Sequence, residues 1–366
     1  MRRGGDSRRA RRQFAEQPGA DGRVRPPGRP LRHGAGPQPA AVRGAPVPRS
    51  GRGGAGGPGE VIGLLVREPD PIRTLSLIGE AEAAGVPAVW LTTVGAERDG
   101  LTLLAVAAGM TERVRLGTAI IPMWARQPVA LVQEVQAIEA RAPGRLLVGL
   151  GTGGSQQMKD AFGAESRRPL ARLAEYVTVA RTLLREGAVD FAGGFYAAKA
   201  RIARPLATPL LVSALGETAF RVAGRVSDGA IAWMAPWRYA EAVALPAMAA
   251  GAAEAGRETP PLYFHVPVCV EADRAAAYEA ARSQVGVYFN IPSWAAMFAA
   301  AGHDPASGMT EAFFEEVVVH GGQEAVVRGL RTLGGRVPGD VIVHPVLTGD
   351  RDAAWRRVIE AVAAAN

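Results

Sequence analysis

The sequence predicts an α/β protein, a (β/α)8 TIM barrel with insertions, preceded by a disordered N-terminal tail. From residue 61 onward, short apolar runs alternate with longer stretches of helical period, a pattern typical of parallel strands joined by crossover helices. About 306 residues follow the tail, which suits a barrel of about 250 residues plus insertions. A doubly wound open sheet usually has fewer strands and would need a second domain at this length.

Eight apolar runs are predicted strands, and each is followed by a helical stretch. The strands are expected over 61–66, 86–93, 114–122, 145–151, 209–214, 228–234, 262–270 and 337–346. Helices are expected over 72–85, 100–110, 128–142, 170–186, 218–226, 239–255, 323–333 and 353–365, with 273–320 mostly helical apart from an interruption at 302–308. Pro128 fits a first helical position, where its missing N–H costs nothing. We expect a looser segment at 152–170 and a hairpin or irregular excursion at 191–202.

The front of the chain differs in composition from the rest. Residues 1–60 carry 13 arginines and four acidic residues, a net +9, whereas the whole chain carries +7. Because this segment has no apolar period, it cannot offset its ordering entropy, so we expect a disordered tail over 1–58 and a barrel domain over 59–366. The alternative is an arginine-rich arm that binds RNA or an acidic surface. Translation from a start codon placed too far upstream in a GC-rich genome would also produce such a tail.

Cysteine usage and hydropathy exclude several classes of protein. Cys269, the single cysteine, excludes an intrachain disulfide framework and a multi-cysteine metal site. It lies in an apolar run, so a buried, inert thiol is expected. No run reaches the roughly 18 apolar residues that span a membrane, and the tail lacks the apolar core of a secretory signal. We therefore expect a cytoplasmic protein that binds neither a membrane nor nucleic acid.

Four segments carry a family resemblance through their order and spacing. They are AEAAGVPAVWL at 81–91, VRLGTAIIP at 114–122 with RQPVAL at 126–131, GRLLVGLGTG at 144–153, and PLLVSALG at 209–216 leading into AGRVSDG at 223–229. These segments resemble the bacterial-luciferase-like oxidoreductases, and their sequences are most similar to the branch that uses the deazaflavin F420. The resemblance implies a phosphate-tailed tricyclic cofactor at the C-terminal mouth of the barrel, where barrel active sites also lie on general grounds. It also implies a homodimer formed through barrel helices.

Glycines at the exit of the fourth strand are the first predicted cofactor contact. Gly151, Thr152 and Gly153 follow the strand directly. Glycine lets the backbone approach a ligand closely and adopt positive φ. The alternative is an ordinary glycine-rich turn between a strand and a loop.

The start of the helix after the fifth strand is the second predicted contact. Free N–H groups at a helix N-terminus attract an anion, and Gly216 leaves room for one. With Glu217 and Thr218, it is predicted to hold the cofactor phosphate, with the Glu217 side chain turned outward. Thr218 is alternatively the N-cap residue, or serves in both roles.

Two strand ends complete the predicted cofactor site, and both rest on the resemblance. Relatives often carry a non-prolyl cis peptide at the end of the third strand, which we assign to Ala119–Ile120 as a bulge behind the ring. At the end of the second strand, relatives often place an acidic residue followed by His near the ring. Here Thr93 and Val94 occupy these positions, so the general acid of that pair is absent.

The histidines and tryptophans are assigned from their positions along the strands. His265 is expected early in the seventh strand, away from the mouth, as a hydrogen-bonded core residue. No histidine pairs with a second ligand at metal spacing, so no metal is predicted. Trp124, Trp233 and Met234 lie at strand exits and are predicted to bind the substrate, with core packing as the equal alternative.

The favoured function is F420-dependent hydride transfer to or from a small organic substrate. The cofactor carries the chemistry, and the protein orients the reactants and excludes water. An FMN-dependent monooxygenase that uses oxygen is the first alternative. A non-catalytic cofactor-binding barrel is the alternative from another class. Gly154 stands where relatives that oxidise sugar phosphates place a carboxylate, which disfavours such substrates.

Overall fold

The computed structural model describes residues 61–164 and 167–366, and the predicted tail over 1–58 lies outside them. The strands are β1 (Ile62–Leu65), β2 (Ala88–Leu91), β3 (Arg115–Pro122), β4 (Leu146–Gly151), β5 (Ala188–Ala192), β6 (Ala197–Arg201), β7 (Leu210–Ala214), β8 (Gly229–Trp233), β9 (Leu262–Val270), β10 (Val319–Gly321) and β11 (Val341–Pro345). Eight of them pair in parallel in the order β1-β2-β3-β4-β7-β8-β9-β11, and β11 pairs with β1. The sheet is therefore a closed barrel, as predicted.

Helices cover the outside of this barrel. They are α1 (Pro71–Ala83), α2 (Gly100–Met110), α3 (Pro128–Arg141), α4 (Ser155–Phe162), α5 (Pro169–Glu186), α6 (Glu217–Val226), α7 (Trp237–Tyr239), α8 (Leu245–Glu254), α9 (Arg274–Val285), α10 (Pro292–Ala300), α11 (Glu311–Val317), α12 (Gln323–Gly334) and α13 (Arg351–Ala365). Within the described ranges, none of these helices combines the length and apolar character needed to cross a bilayer.

Three elements differ from the sequence-based expectation. The segment expected to be loose contains α4, in which Met158 is the one described side chain that is buried, so its apolar period is short. The end of the segment expected to be helical forms β10, which extends the sheet beside β9. The last barrel strand, β11, begins four residues later than predicted, because Pro338 and Gly339 precede it. The hairpin is confirmed as β5 and β6.

Large aromatic side chains fill the barrel interior towards the amino-terminal ends of its strands. Trp90 lies against Gly63 and Gly117, where a Cβ atom on either glycine would overlap its indole ring. Below it, Arg115 Nη2 donates to Asp340 Oδ2 at 2.8 Å, and the Asp340 side chain is fully buried. Burial raises the pKa of this carboxyl group, and Arg115 opposes that shift. This ion pair and the aromatic rings close the amino-terminal end of the barrel.

Helices α6 and α8 pack closely because glycines face each other's backbones. A Cβ on Gly251 would overlap the carbonyl oxygen of Arg221, and a Cβ on Gly224 would overlap that of Met248. This close crossing fixes α6, whose N-terminus lies at the mouth of the barrel.

Cys269 lies in β9 and is buried, as predicted. Burial raises the pKa of its thiol to about 12. A thiol that stays protonated at neutral pH is a poor nucleophile, so an inert role follows.

Candidate active site

Ala119 and Ile120, at the end of β3, form one wall of the barrel mouth, which we call the β3 ledge. The peptide bond between Ala119 and Ile120 is cis, which confirms the expectation for this position. The register between β3 and β4 shifts between Thr118 and Ile121, as a bulge requires. The Ile120 carbonyl accepts a hydrogen bond from Thr93 N at 3.0 Å, and this bond ties the ledge to the end of β2.

Gly151 lies beside this ledge at the end of β4. A Cβ atom there would lie 2.5 Å from Ser213 Oγ and 2.8 Å from Ile120 Cδ1. Ile120 and Ser213 therefore pack directly against the Gly151 backbone, and a side chain at this position would not fit beside them. Gly153 follows with φ of 63°, a backbone conformation that favours glycine.

Trp124 and Thr152 fix the loop that leaves β4. The Trp124 indole N–H donates to the Thr152 carbonyl oxygen at 2.6 Å. The guanidinium of Arg172 lies 5.0 Å from the Trp124 ring centre, at cation–π distance. Trp124 thus holds the predicted cofactor loop in position. This structural role was not part of the prediction that Trp124 binds the substrate.

The N-terminus of α6 is open, as the anion-site prediction requires. Gly216 is the N-cap residue, no side chain caps the helix, and a Cβ on Gly216 would meet open space. The Tyr239 hydroxyl holds the approach to this helix by donating to the Leu215 carbonyl at 2.9 Å. Thr218 lies at the second helical position, so the alternative that it is the N-cap is wrong. Glu217 and Thr218 are both exposed.

The Thr93 hydroxyl is engaged by local structure at the end of β2. It accepts a hydrogen bond from Gly100 N at 2.8 Å, at the start of α2. Its backbone N–H holds the β3 ledge, so Thr93 supports the site through both groups. It does not supply a carboxylic acid at the mouth.

Trp233, at the end of β8, lies on the other side of the mouth. Its ring stacks on the imidazole of His265 with centroids 3.7 Å apart, because His265 pairs with it across β8 and β9. His344, from the end of β11, meets both rings edge-on at 5.9 Å from Trp233 and 5.2 Å from His265. Tyr288 lies 6.0 Å from Trp233. Together these four form an aromatic and imidazole cluster.

His265 therefore differs from its prediction. Its side chain is fully buried, but neither ring nitrogen has a hydrogen-bond partner in the part of the chain that the structure describes. It lies level with the last residue of β8, not far from the mouth. The prediction of a hydrogen-bonded core histidine is wrong, because pairing with β8 places the ring under Trp233.

Met234 follows Trp233 but faces the opposite side of the sheet. It is 2% exposed and packs in the core between strands and helices. Its φ is 54°, and its N–H donates to the His265 carbonyl at 2.9 Å. For Met234 the geometry favours the core-packing alternative, with a strained backbone that ends β8 at the mouth.

Burial keeps both histidines of the cluster neutral. Burial, with a smaller contribution from Arg67, lowers the pKa of His344 to about 3. Burial, then His344 and Arg67, lowers the pKa of His265 well below its usual value. Neutral imidazoles donate and accept hydrogen bonds, so the cluster is polar without being charged.

These shifts predict acid sensitivity. Because the folded pKa values lie below the unfolded value of 6.5, the unfolded chain binds more protons as pH falls, and stability is lost below about pH 6.5. At pH 5, His344 alone should cost about 2 kcal/mol of unfolding free energy. Urea unfolding at pH 7 and pH 5 should show a smaller loss for His344→Gln. An equal loss in both proteins would contradict the assignment.

A cavity of about 280 Å³ opens beside His344, between the loops after β1, β2 and β11. Its charged lining residues are Arg67, Glu68, Glu97, Arg98 and Arg351. The sequence analysis did not identify this cavity. It adjoins the aromatic and imidazole cluster through His344.

The sequence is similar to two known proteins over part of its length. The chain is 31% identical over 175 residues to a putative coenzyme F420-dependent oxidoreductase of Mycobacterium tuberculosis, covering 43% of this chain and 50% of that protein. It is 34% identical over 195 residues to an F420-dependent glucose-6-phosphate dehydrogenase of Beutenbergia cavernae, covering 48% and 57%. The chain therefore aligns with little more than half of either relative.

The fold matches a solved structure over most of the chain. The F420-dependent tetrahydromethanopterin reductase of Methanopyrus kandleri superposes with a TM-score of 0.66 at 20% identity, covering 82% of this chain and 98% of that one. The family model described as luciferase-like monooxygenase matches residues 50–290. This match shows that the chain belongs to the luciferase-like monooxygenase family.

Proposed function

We propose that this protein is an oxidoreductase that binds F420 and transfers a hydride between the cofactor and a small organic substrate. The observation that carries the proposal is the β3 ledge. There Ile120 packs against the backbone of Gly151, where a Cβ atom would lie 2.8 Å from Ile120 Cδ1. Together they form an apolar surface at the rim of β3 and β4, and α6, which follows the neighbouring strand β7, begins there without a side-chain cap.

The residues around the mouth fit both parts of the cofactor. Ile120 offers an apolar surface to a ring, and Gly151 and Gly153 bring backbone close to it. The uncapped N-terminus of α6 offers N–H groups and a favourable dipole to the phosphate tail. Glu217 is exposed there, so its carboxylate can remain in water.

When bound, the deazaflavin supplies the hydride donor or acceptor at carbon 5 of its ring. The chain supplies orientation and exclusion of water. The β3 ledge would support one face of the ring, and Trp124 holds the β4 loop in place through its hydrogen bond to the Thr152 carbonyl. Trp233 stands across the mouth, where it limits how a substrate can approach the open face. The neutral imidazole of His344 can hold a carbonyl or hydroxyl group by a hydrogen bond.

Two F420-dependent relatives above 30% identity favour this cofactor over FMN. Anaerobic titration with each cofactor tests the choice, and we expect saturable binding of F420 and weaker binding of FMN. Protein purified from a host that makes F420 should retain it, as absorbance and mass analysis would show. Tight binding of FMN without binding of F420 would replace the proposal with a flavin monooxygenase. Bound F420 that no carbonyl or alcohol substrate oxidises or reduces would favour a non-catalytic binding protein.

A further inference from the structure

The cavity beside His344 holds an excess of positive charge. Glu68 is already neutralised, since its Oε1 accepts from Arg351 at 2.6 Å and 2.9 Å and from the Trp355 indole at 2.6 Å. That leaves Arg67 and Arg98 facing one further acid, Glu97, which is 58% exposed at its side chain. With both cluster histidines neutral, the lining residues carry a net charge of about +1.

Arg98 is the residue that most needs a partner. Its side chain is 11% exposed, and its nearest acid is Glu97 at 3.8 Å from Nη1. Its Nε and Nη2 atoms are buried without a hydrogen-bond partner in the described chain. Burying a guanidinium with two unpaired donors is unfavourable unless an anion completes it. Burial lowers the pKa of Arg98, and the nearby positive charge of Arg67 lowers it further.

His344 adds a neutral hydrogen-bonding group on the barrel side. It is 6% exposed, and its Nδ1 has no partner within the described ranges. It also meets the ring of Trp233 edge-on, so the cavity adjoins the aromatic and imidazole cluster. The cavity lies at the same end of the barrel as the β3 ledge, because most of its lining residues lie at or follow the carboxyl ends of β1, β2 and β11.

We propose that this cavity binds the carboxylate of the substrate, with Arg98 and Arg67 pairing the anion and His344 donating a hydrogen bond to the same molecule. The assignment as a substrate subsite rests on the proposed function. A carboxylate fits better than a phosphate because one negative charge balances the lining residues, whereas a phosphate dianion would exceed them. The planar fork of arginine also matches a carboxylate in two parallel hydrogen bonds. The substrate class is therefore an organic acid that carries a reducible or oxidisable carbon elsewhere.

Calorimetric titration with benzoate, phenyl phosphate and benzyl alcohol tests this, because the three probes share one ring and differ in charge. Benzoate should bind the wild-type protein best, and Arg98→Met should weaken it at least tenfold. The matched control is Arg356→Met, an exposed arginine on α13, which should leave benzoate binding unchanged. Arg98→Lys should recover part of the affinity. Arg67→Met changes an exposed side chain without threatening the fold and should weaken benzoate several-fold.

Equal benzoate affinity in the wild-type and Arg98→Met proteins would overturn the proposal, as would benzyl alcohol binding as tightly as benzoate. Phenyl phosphate binding more tightly than benzoate would overturn the carboxylate assignment. F420 affinity, measured on the same variants, should not change. Arg98-dependent benzoate binding in a protein that does not bind F420 would sink the proposed function and leave the anion site in place.

Discussion

Replacing Gly151 with valine is expected to lower F420 affinity by about 100-fold while the protein stays folded. The new side chain would overlap Ser213 Oγ and Ile120 Cδ1, and displacing Ile120 would disturb the apolar surface that we assign to the ring. Overfilling a packed site costs about 1–3 kcal/mol, and about 2.8 kcal/mol corresponds to 100-fold. Fluorescence titration with F420 measures the loss.

Gly154→Val is the matched control for this change. Gly154 lies three residues further along the chain, and a Cβ there would meet open space. Its φ of −68° also suits valine. F420 affinity should therefore stay within about twofold of wild type. If both variants bound F420 as the wild-type protein does, the ring would not lie against β4.

Gly251→Ala should produce the largest loss of stability, about 2–3 kcal/mol. The added methyl group would overlap the Arg221 carbonyl oxygen, which is backbone and cannot rotate away. Helices α6 and α8 must then separate, and the N-terminus of α6 would move with them. Denaturant unfolding should show the lower midpoint, and F420 affinity should fall as well.

Gly79→Ala controls for the substitution itself. Gly79 lies inside α1, is exposed, and has no atom within 4 Å of an added Cβ. Alanine there should raise stability by about 0.5–1 kcal/mol, because glycine is the poorer helix former. A similar loss in both variants would mean that close helix packing is not the cause.

The fold was largely predictable because most strands and helices have clear signals in their own local sequence. Strand β9 is observed over the same residues as predicted, and α2 likewise, since their apolar runs and N-cap residue are clear. Helix α4 was missed because it is short and mostly exposed, and one buried side chain, Met158, does not make an apolar period. Strand β10 was missed because three residues pair only through a neighbour distant in sequence.

The site was only partly predictable from the sequence. Nothing in the composition of Thr118 to Ile121 marks a cis bond, so family resemblance was the only signal. The environment of His265 depends on its register against Trp233 in another strand. Arg98 sits in a charged loop, where arginines are usually hydrated, and only the folded structure shows that two of its nitrogens are buried.

The ion pair of Arg115 and Asp340 has a kinetic consequence. Because this pair and the packed rings close the amino-terminal end, both reactants must reach the site from the carboxyl-terminal mouth. A substrate that stacks on the open face of the ring would cover the cofactor, so we expect the cofactor to bind first and to leave last. Product-inhibition patterns should then be those of an ordered scheme.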